Sequence, residues 1–501
     1  MSIDRLFAAL HARTPDAPVL HGDTQTWHAA ALCVAVDELA TRLADCRTVA
    51  VLADNGPDWV IADLAALRAG VVQVPLPPFF TPAQLAHVLA QSGADAVLTD
   101  QPERITPLGA GFHPGGKWND LVLLQRRAVP AALPAGTAKI SFTSGSTGSP
   151  KGACLSADGL IDTAAAVAAR LADLPITRHL AVLPLALLLE NSAGIYAPLL
   201  RGVEIHLPRL AALGWQGMAG FDPAALQRSV ATLRPNSVIL VPELLKAWTL
   251  YLAASGQGVP DSLVYAAVGG ARVAPEALHR ARALGLPAYQ GYGLTECGSV
   301  VSLNRPGDDA DDVGRPLDHV ALRVEDGEIV VAARAFLGYL GTEAPHQDAA
   351  GERRDFTTGD LGRLDTNGHV HLSGRRKNLL ITSFGRNVAP EWVEAALLAQ
   401  PAVAQAVVSG EARPWLAAVL VAAPGAGPAQ LADAVAHANA GLPDYARIGG
   451  WLAAEPFTPH NGQATGNGRP LRAAILNHHG AALAALYQES FPEEEPAHAV
   501  L

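Results

Sequence analysis

Cysteine and lysine are scarce in this chain of 501 residues. Its four cysteines are Cys33, Cys46, Cys154 and Cys297; none belongs to a Cys-x-x-Cys pair, and none has a histidine at metal-ligand spacing. This spacing argues against a disulfide framework and against a structural zinc site, so a cytoplasmic location is expected. The lysines number only five, and the last of them is Lys377.

Long apolar runs and basic charge are also lacking. The longest apolar stretches fall short of the roughly 20 residues that a membrane span needs, and the N-terminus lacks the apolar core of a signal peptide. The formal net charge is −11, which argues against nucleic acid and anionic membrane surfaces as general partners. Because 50% of the residues are hydrophobic and only 17% are charged, the chain can bury a large core.

Short β-branched runs alternate with Ala/Leu-rich helical patterns over two long stretches of the chain. The first stretch lies at 48–130, where TVAVLA, DWVIADLAALRAG and VVQVPL follow one another, and the same rhythm returns at 179–290. Strand, helix and strand at this spacing predict right-handed βαβ crossovers and parallel sheets. We therefore expect an α/β fold with a large N-terminal domain of doubly wound sheets.

After residue 313 the sequence pattern changes to short predicted strands with polar residues between them, such as VALRVEDGEIVV. This pattern favours antiparallel hairpins and then a smaller α+β unit. We predict a large domain over 1–375 and a small, mobile C-terminal domain over 376–501.

The segment 139–152, KISFTSGSTGSPKG, has the composition of a phosphate-binding loop. Backbone N–H groups at glycines, several hydroxyls and the charge of Lys151 can all face an oxyanion. It is not a Walker loop, because the second required glycine falls on Pro150 and Lys151 is followed by Gly152. The candidate phosphate ligands besides Lys151 are Thr143, Ser144, Gly145, Ser146, Thr147 and Gly148.

This loop resembles that of the adenylate-forming superfamily of acyl-CoA synthetases, peptide-synthetase adenylation domains and luciferases. The resemblance continues in chain order through GYGLTE at 291–296, TGDLG at 358–362 and GRRKNLLITSFGRNVAP at 374–390, and an upstream segment, NGPDWVIADLAALRAGVVQVPL at 55–76, is also similar. Four motifs in the right order are far more specific than any one of them. The resemblance implies ATP and Mg²⁺ as cofactors, with coenzyme A or the phosphopantetheine arm of a carrier protein as acyl acceptor.

The resemblance also implies roles for residues of the second and third motifs. Tyr292 would stack on adenine, Thr295 would contact phosphate, and Glu296 would bind Mg²⁺, a hard cation that prefers carboxylate oxygen. Asp360 offers two acceptor oxygens to the two ribose hydroxyls, and Arg375 would add a second contact to ribose or phosphate.

Further residues are assigned by their positions in the remaining motifs. Gly269 and Gly270, in VGGAR, would let the backbone approach the nucleotide and the acyl group. Lys377 matches the hinge about which the C-terminal domain would rotate, and Gly385 would line the tunnel for the pantetheine arm. In the C-terminal loop QATGNGRPLR, Arg469 stands where the family usually has a catalytic lysine. The change keeps the charge but alters reach and donor geometry.

The stretch LPLALLLENSAG at 183–194 bears on the acyl substrate. Leu187 replaces a histidine found in many acyl-CoA ligases, and Leu189 replaces the aspartate that binds the ammonium of amino-acid substrates. Leu187, Leu188 and Leu189 either line an apolar pocket or pack in the core. The predicted function is an ATP-dependent ligase that adenylates a fatty or aryl carboxylic acid and transfers it to coenzyme A.

Two alternatives remain open at this point. The acceptor can be an acyl carrier protein, because its terminal thiol is the same as that of coenzyme A. In a different class, the arginine at 469 marks a degenerate protein that binds nucleotide or acyl-adenylate without turnover.

Overall fold

The computed structural model describes residues 2–143, 150–217, 220–308, 311–342, 353–465 and 468–487. The chain divides into two compact units, Met1–Leu372 and Ser373–Leu501.

Helices occur in both units, and several begin with proline at their first position, where its missing N–H group is tolerated. They are α1 (Ser2–His11), α2 (Ala29–Leu43), α3 (Pro57–Ala69), α4 (Pro82–Gln91), α5 (Pro102–Ile105), α6 (Ala157–Arg170), α7 (Ala197–Arg201), α8 (Pro223–Leu233), α9 (Pro242–Ser255), α10 (Pro275–Ala283), α11 (Pro390–Leu398), α12 (Pro428–Ala440), α13 (Arg472–His478) and α14 (Gly480–Leu486).

Strands alternate with these helices in the first part of the chain and follow one another directly in its middle. They are β1 (Pro18–His21), β2 (Thr26–His28), β3 (Thr48–Leu52), β4 (Val72–Pro75), β5 (Ala96–Thr99), β6 (His113–Trp118), β7 (Leu121–Gln125), β8 (Thr137–Thr143), β9 (Lys151–Ser156), β10 (Arg178–Leu180), β11 (Glu204–His206), β12 (Trp215–Gln216), β13 (Gly220–Phe221), β14 (Ser237–Leu240), β15 (Tyr265–Val268), β16 (Ala288–Tyr292), β17 (Ser302–Leu303), β18 (Arg315–Pro316), β19 (Ala321–Glu325), β20 (Glu328–Ala333), β21 (Phe336–Tyr339), β22 (Arg354–Leu364), β23 (Val370–Arg375), β24 (Leu380–Ile381), β25 (Asn387–Val388), β26 (Val403–Ser409), β27 (Leu416–Ala422) and β28 (Ile448–Ala453).

Two large sheets organise the first unit. Within the described residues, one has the order β21-β9-β8-β4-β3-β5-β7-β6 and the other the order β18-β17-β16-β15-β14-β10-β11-β1-β2. The central strands of both sheets are parallel, and antiparallel strands flank them. The predicted α/β class with doubly wound sheets is confirmed, because the predicted βαβ units form and their strands pair in parallel.

Helix α3 packs in the core that is shared by strands of both sheets. All residues from Trp59 to Leu67 are buried, and the same apolar cluster contains Val51 of one sheet and Ile205 of the other. A helix that is apolar on every side belongs in an interior of this kind. Its one buried charge, Asp63, accepts from Lys139 of β8 at 2.7 Å.

The antiparallel strands predicted after residue 313 form a separate small sheet with the order β19-β20-β22-β23. Strands β19 and β20 make the hairpin expected from VALRVEDGEIVV, with Val324 opposite Ile329. This sheet packs on the segment after β16 through Cys297, Val301 and Val331.

The second unit is an α+β structure with its own core. Its sheet has the order β26-β27-β28, and one apolar cluster joins Val393 of α11, Leu420 of β27 and Leu431 of α12. Among the described residues, no helix of either unit combines the length and the apolar character needed to cross a membrane.

Candidate functional site

The predicted phosphate loop joins two antiparallel strands. Thr143, the last residue of β8, pairs with Lys151, the first residue of β9, and the Lys151 side chain is exposed at the loop end of this hairpin. The predicted ligands Ser144, Gly145, Ser146, Thr147 and Gly148 lie outside the described residues, as does the side chain of Thr143. Their roles stay predictions.

Gly152 lies inside the strand ladder and has little room for a side chain. A Cβ there would lie 2.9 Å from Ile140 Cγ2, 3.1 Å from Phe142 Cζ and 3.2 Å from Leu340 Cβ. Its carbonyl accepts from the backbone N–H of Leu340 at 2.8 Å. Glycine at this position therefore lets β21 pack against the hairpin that carries the loop.

The second and third motifs meet at one point, although their residues lie far apart in the chain. The hydroxyl of Tyr292, at the end of β16, donates to Asp360 Oδ2 on β22 at 2.6 Å. Burial, and then the Asp360 charge, raise the pKa of Tyr292 well above its ordinary value, so the phenol stays protonated as a donor. One carboxylate oxygen of Asp360 thus already accepts a strong hydrogen bond from Tyr292 of the protein itself.

Backbone geometry around Asp360 explains the glycine that precedes it. Gly359 has a φ of +74°, which side chains disfavour, and its N–H donates to Glu328 Oε1 at 2.8 Å. The N–H of Asp360 donates to Thr358 Oγ1 at 3.0 Å. The turn therefore presents the Asp360 carboxylate to Tyr292 in one orientation.

Glu296 lies in a short 3-10 turn, Thr295–Cys297, that follows β16. Its Oε1 atom accepts from the hydroxyl of Tyr339 on β21 at 2.6 Å. Burial and this hydrogen bond raise the pKa of Tyr339 above its ordinary value, so it too remains a donor. A carboxylate has about four lone-pair sites, so one such bond is compatible with coordination of a hard cation.

Tyr339 was not singled out from the sequence, yet it connects two of the predicted elements. It pairs with Ala153 of β9, the strand that leaves the phosphate loop. Glu296 is thereby held beside the strand that begins with Lys151. The signal was weak, since a tyrosine in FLGYLG is also typical of a half-buried strand.

The glycine pair and the leucine stretch lie side by side. A Cβ on Gly269 would lie 3.5 Å from Leu189 Cδ2 and 3.9 Å from the carbonyl oxygen of Gly291. Gly270, the next residue, has a φ of +88°. Leu187 and Leu189 are half-buried and Leu188 is buried, so the leucines partly pack in the core and partly face the region of Gly269.

Asn55, from the upstream segment 55–76, positions the loop that leads into this leucine stretch. Its side-chain amide donates to the carbonyl of Leu183 at 2.9 Å, and its Oδ1 accepts from the N–H of Leu185 at 3.0 Å. A π-helix over Glu190–Tyr196 follows the leucines, and Glu190 accepts from the N–H of Leu183 at 2.9 Å. The beginning of the stretch is thus fixed by two buried side chains, Asn55 and Glu190.

The remaining predicted residues belong to the second unit. Arg375 ends β23 and Lys377 lies in the next turn, and both side chains are exposed. Gly385 has a φ of +69° in the turn between β24 and β25, and a Cβ there would meet no atom within 4 Å. Arg469 is exposed at the end of a turn in which its N–H donates to Thr465 Oγ1 at 3.1 Å.

Tyr292, Asp360, Glu296 and Lys151 therefore belong to one unit, with Gly269 directly after β15, the strand beside β16. Arg375, Lys377, Gly385 and Arg469 belong to the other. Inside the first unit, a hydrogen bond joins residues of two different motifs, Tyr292 and Asp360. The roles assigned to residues of the second unit rest on the motifs alone.

Comparison with known proteins agrees with these motifs. The model of the family described as AMP-binding enzyme matches residues 7–335, and that of the AMP-binding enzyme C-terminal domain matches residues 377–490.

Individual relatives and structures cover similar shares of the chain. Long-chain-fatty-acid–CoA ligase FadD15 of Mycobacterium bovis is 28% identical over 438 residues, with 73% of this chain and 71% of that protein covered. The 2-succinylbenzoate–CoA ligase of Bacillus licheniformis is 28% identical over 386 residues, with 72% and 76% covered. The solved o-succinylbenzoate CoA synthetase (MenE) of Bacillus subtilis, in complex with the acyl-adenylate intermediate OSB-AMP, has a TM-score of 0.74 at 23% identity. The match covers 94% of this chain and 97% of that one, and at this identity it shows the fold.

The resemblance drawn from the four motifs is thus confirmed by two consecutive family matches over most of the sequence, and this chain belongs to the AMP-binding enzyme family.

Proposed function

We propose that this protein is an ATP-dependent acid–thiol ligase that acts on a hydrophobic carboxylic acid. In the first step, a carboxylate oxygen attacks the α-phosphorus of ATP, the bond to the bridging oxygen of the β-phosphate breaks, and pyrophosphate leaves. In the second step, a pantetheine thiolate attacks the acyl carbon, the bond to the AMP oxygen breaks, and a thioester and AMP are formed.

The observation that carries this proposal is the direct hydrogen bond between Tyr292 and Asp360. Two residues that the motifs assign to adenine and to ribose lie 68 positions apart in the chain, and their side chains meet at 2.6 Å. Their partnership pre-orients the aromatic ring and the carboxylate at one place, which lowers the entropic cost of ordering them around a nucleoside.

Charge stabilisation at the phosphates is the task proposed for residues of both units. The exposed ammonium of Lys151 and the loop before it would bind the β- and γ-phosphates as a point charge with N–H donors. When bound, Mg²⁺ supplies Lewis-acid stabilisation of phosphoryl charge; Glu296 would hold it, and Thr295 next to Glu296 would contact phosphate. Arg469 would approach the α-phosphate from a mobile lid over 376–501, with Lys377 as its hinge and Arg375 near the ribose.

The acyl chain is proposed to lie against Gly269 and Leu189. The glycine has no side chain to occupy the space beside Leu189 and Gly291, and the leucine gives that space an apolar wall. Position 189 is a leucine and has no carboxylate that could bind a substrate ammonium, so fatty and aryl acids suit the site better than amino acids. The two relatives named above carry a long-chain fatty acid and an aryl acid, 2-succinylbenzoate, in their names.

Coenzyme A is the proposed acceptor because both curated relatives carry CoA ligase in their names. An acyl carrier protein is the alternative acceptor, since Gly385 would admit the same pantetheine arm from either. A cytoplasmic location is part of the proposal, as all four cysteines are free thiols in the structure.

Pyrophosphate release tests the proposal. The purified chain is incubated with ATP, Mg²⁺ and a panel of fatty, benzoic and cinnamic acids, with coenzyme A and a holo carrier protein offered in separate reactions. We expect acid-dependent release of pyrophosphate and formation of one thioester. ATP binding without release for any acid would instead support the degenerate, binding-only reading.

A further inference from the structure

Two histidines and a glutamate form a cluster away from the site described above. His21 is the last residue of β1, and Glu204 and His206 are the first and last residues of the neighbouring strand β11. The two strands are parallel, with His21 opposite His206. Because side chains alternate along a strand, Glu204 and His206 project from the same face as His21.

The side chains of this cluster are close enough to share one ion. One ligand atom from each residue lies within 4.8 Å of the other two. His21 Nε2 lies 3.2 Å from Glu204 Oε2, and His21 Nδ1 lies 3.1 Å from Thr26 Oγ1. The imidazole rings of His21 and His206 stack with their centroids 4.4 Å apart and an interplanar angle of 8°.

His206 carries a polar atom that the protein leaves unsatisfied. Its Nε2 is buried and has no hydrogen-bond partner in the part of the chain that the structure describes. A buried polar atom without a partner carries a desolvation cost of about 1–3 kcal/mol, so its presence needs an explanation. A bound cation would provide one.

Charged neighbours and solvent exposure also bear on cation binding at this cluster. The positive charge of Arg178 near His206 would weaken a cation site, whereas the carboxylate of Glu204 beside His21 would favour one. The side chains of His21 and Glu204 are 21% and 36% exposed, which leaves an entry path.

We propose that His21, Glu204 and His206 bind one Zn²⁺ ion, with water in the fourth position. Two imidazoles and one carboxylate are a ligand set that zinc uses in proteins, at about 2.0–2.2 Å from each donor atom. Binding requires the stacked rings to turn about χ2, a torsion with a broad, shallow profile. The ion would link β1 to β11 and so tie the N-terminal segment to the sheet.

This zinc site is separate from the proposed nucleotide site. In the sheet order β16-β15-β14-β10-β11, four strand steps separate the strand of Tyr292 from β11. At about 4.8 Å per step this is roughly 19 Å. The proposed role is structural, and it does not depend on the ligase activity.

Isothermal titration of the full-length, chelator-treated protein with ZnCl₂ tests the proposal. We expect one ion per chain, and we expect the affinity to fall at least about tenfold in His206→Gln and in Glu204→Gln, since even outer residues of zinc sites contribute that much. His279→Gln is the matched control, because His279 also pairs with a carboxylate, Asp311 at 2.8 Å, but lies outside the cluster.

A second measurement uses the melting temperature with and without Zn²⁺. Zinc should raise it in the parent and in His279→Gln and leave it unchanged in His206→Gln, whose metal-free melting temperature shows whether the variant folds. The proposal is overturned if the parent does not bind zinc, or if the parent, His279→Gln and His206→Gln bind zinc with equal affinity. If His206→Gln fails to fold, Glu204→Gln decides by the same criteria.

Discussion

Replacement of Lys139 by methionine should destabilise the first unit strongly. The Lys139 side chain is 0% exposed, and its ammonium donates to Asp63 Oδ1 at 2.7 Å and to the Tyr196 hydroxyl at 3.0 Å. Asn191 Nδ2 and the Tyr196 hydroxyl donate in turn to Asp63 Oδ2, at 2.9 and 2.6 Å. Methionine fills similar space but leaves the Asp63 charge inside the core without its cation.

The magnitude follows from the burial of the pair. Removal of one partner from a buried ion pair lowers the free energy of unfolding by about 3–5 kcal/mol, because the remaining charge is uncompensated. The unit spans Met1–Leu372. With an unfolding entropy of about 2.1 cal/mol/K per residue, this loss corresponds to a fall in melting temperature of roughly 4–6 °C.

Differential scanning calorimetry at a fixed scan rate measures this change. Lys117→Met is the matched control, because Lys117 is exposed and should melt like the parent. The double variant Lys139→Met/Asp63→Asn should recover part of the loss, since no buried charge is left unpaired and the amide oxygen still accepts from Tyr196. A melting temperature for Lys139→Met within about 1 °C of the control, or strictly additive effects of the two substitutions, would refute the reasoning.

Three further predictions concern the proposed site. Tyr339→Phe removes the donor to Glu296 and should raise the Mg²⁺ concentration that gives half-maximal pyrophosphate release by about 10–100-fold. Tyr251→Phe is the control, because the Tyr251 hydroxyl accepts an exposed hydrogen bond from Gln257, and it should leave that concentration unchanged. Arg469→Ala should slow acyl-adenylate formation by about 10²–10³-fold and leave thiol transfer from supplied adenylate nearly intact, and equal loss in both steps contradicts the role of Arg469. Gly269→Val should lower kcat/KM for long or aryl acids much more than for acetate, because its methyl groups enter the space beside Leu189; an unchanged ratio would place the acyl chain elsewhere.

The candidate nucleotide residues show how far motif reasoning reaches. Tyr292 and Asp360 could each be named from a short motif, because the chemistry of stacking and of a two-oxygen acceptor is local to the residue. Their contact could not, since it depends on where the end of β16 and the turn at Gly359 lie in space. The contact also means that Asp360, in its proposed role, would share its acceptor oxygens between Tyr292 and the ribose.

Gly152 shows that a motif residue can have more than one use. In the sequence it belongs with the phosphate loop as a source of accessible N–H groups. In the structure the side chains of Ile140, Phe142 and Leu340 crowd the space around it. Only the packing of three strands reveals this second demand for glycine.

The sequence by itself determined the α/β class, the switch to antiparallel strands after residue 313, the family, and the identities of the candidate nucleotide residues. Those features are encoded in local periodicity and in short motifs that can be read one segment at a time. Tertiary structure alone decided that Tyr339 holds Glu296, that Lys139 neutralises Asp63 inside the core, and that His21 meets Glu204 and His206. Each of these three pairings joins distant segments through the packing of strands, helices and turns, and none of them is set by the amino acids of one segment.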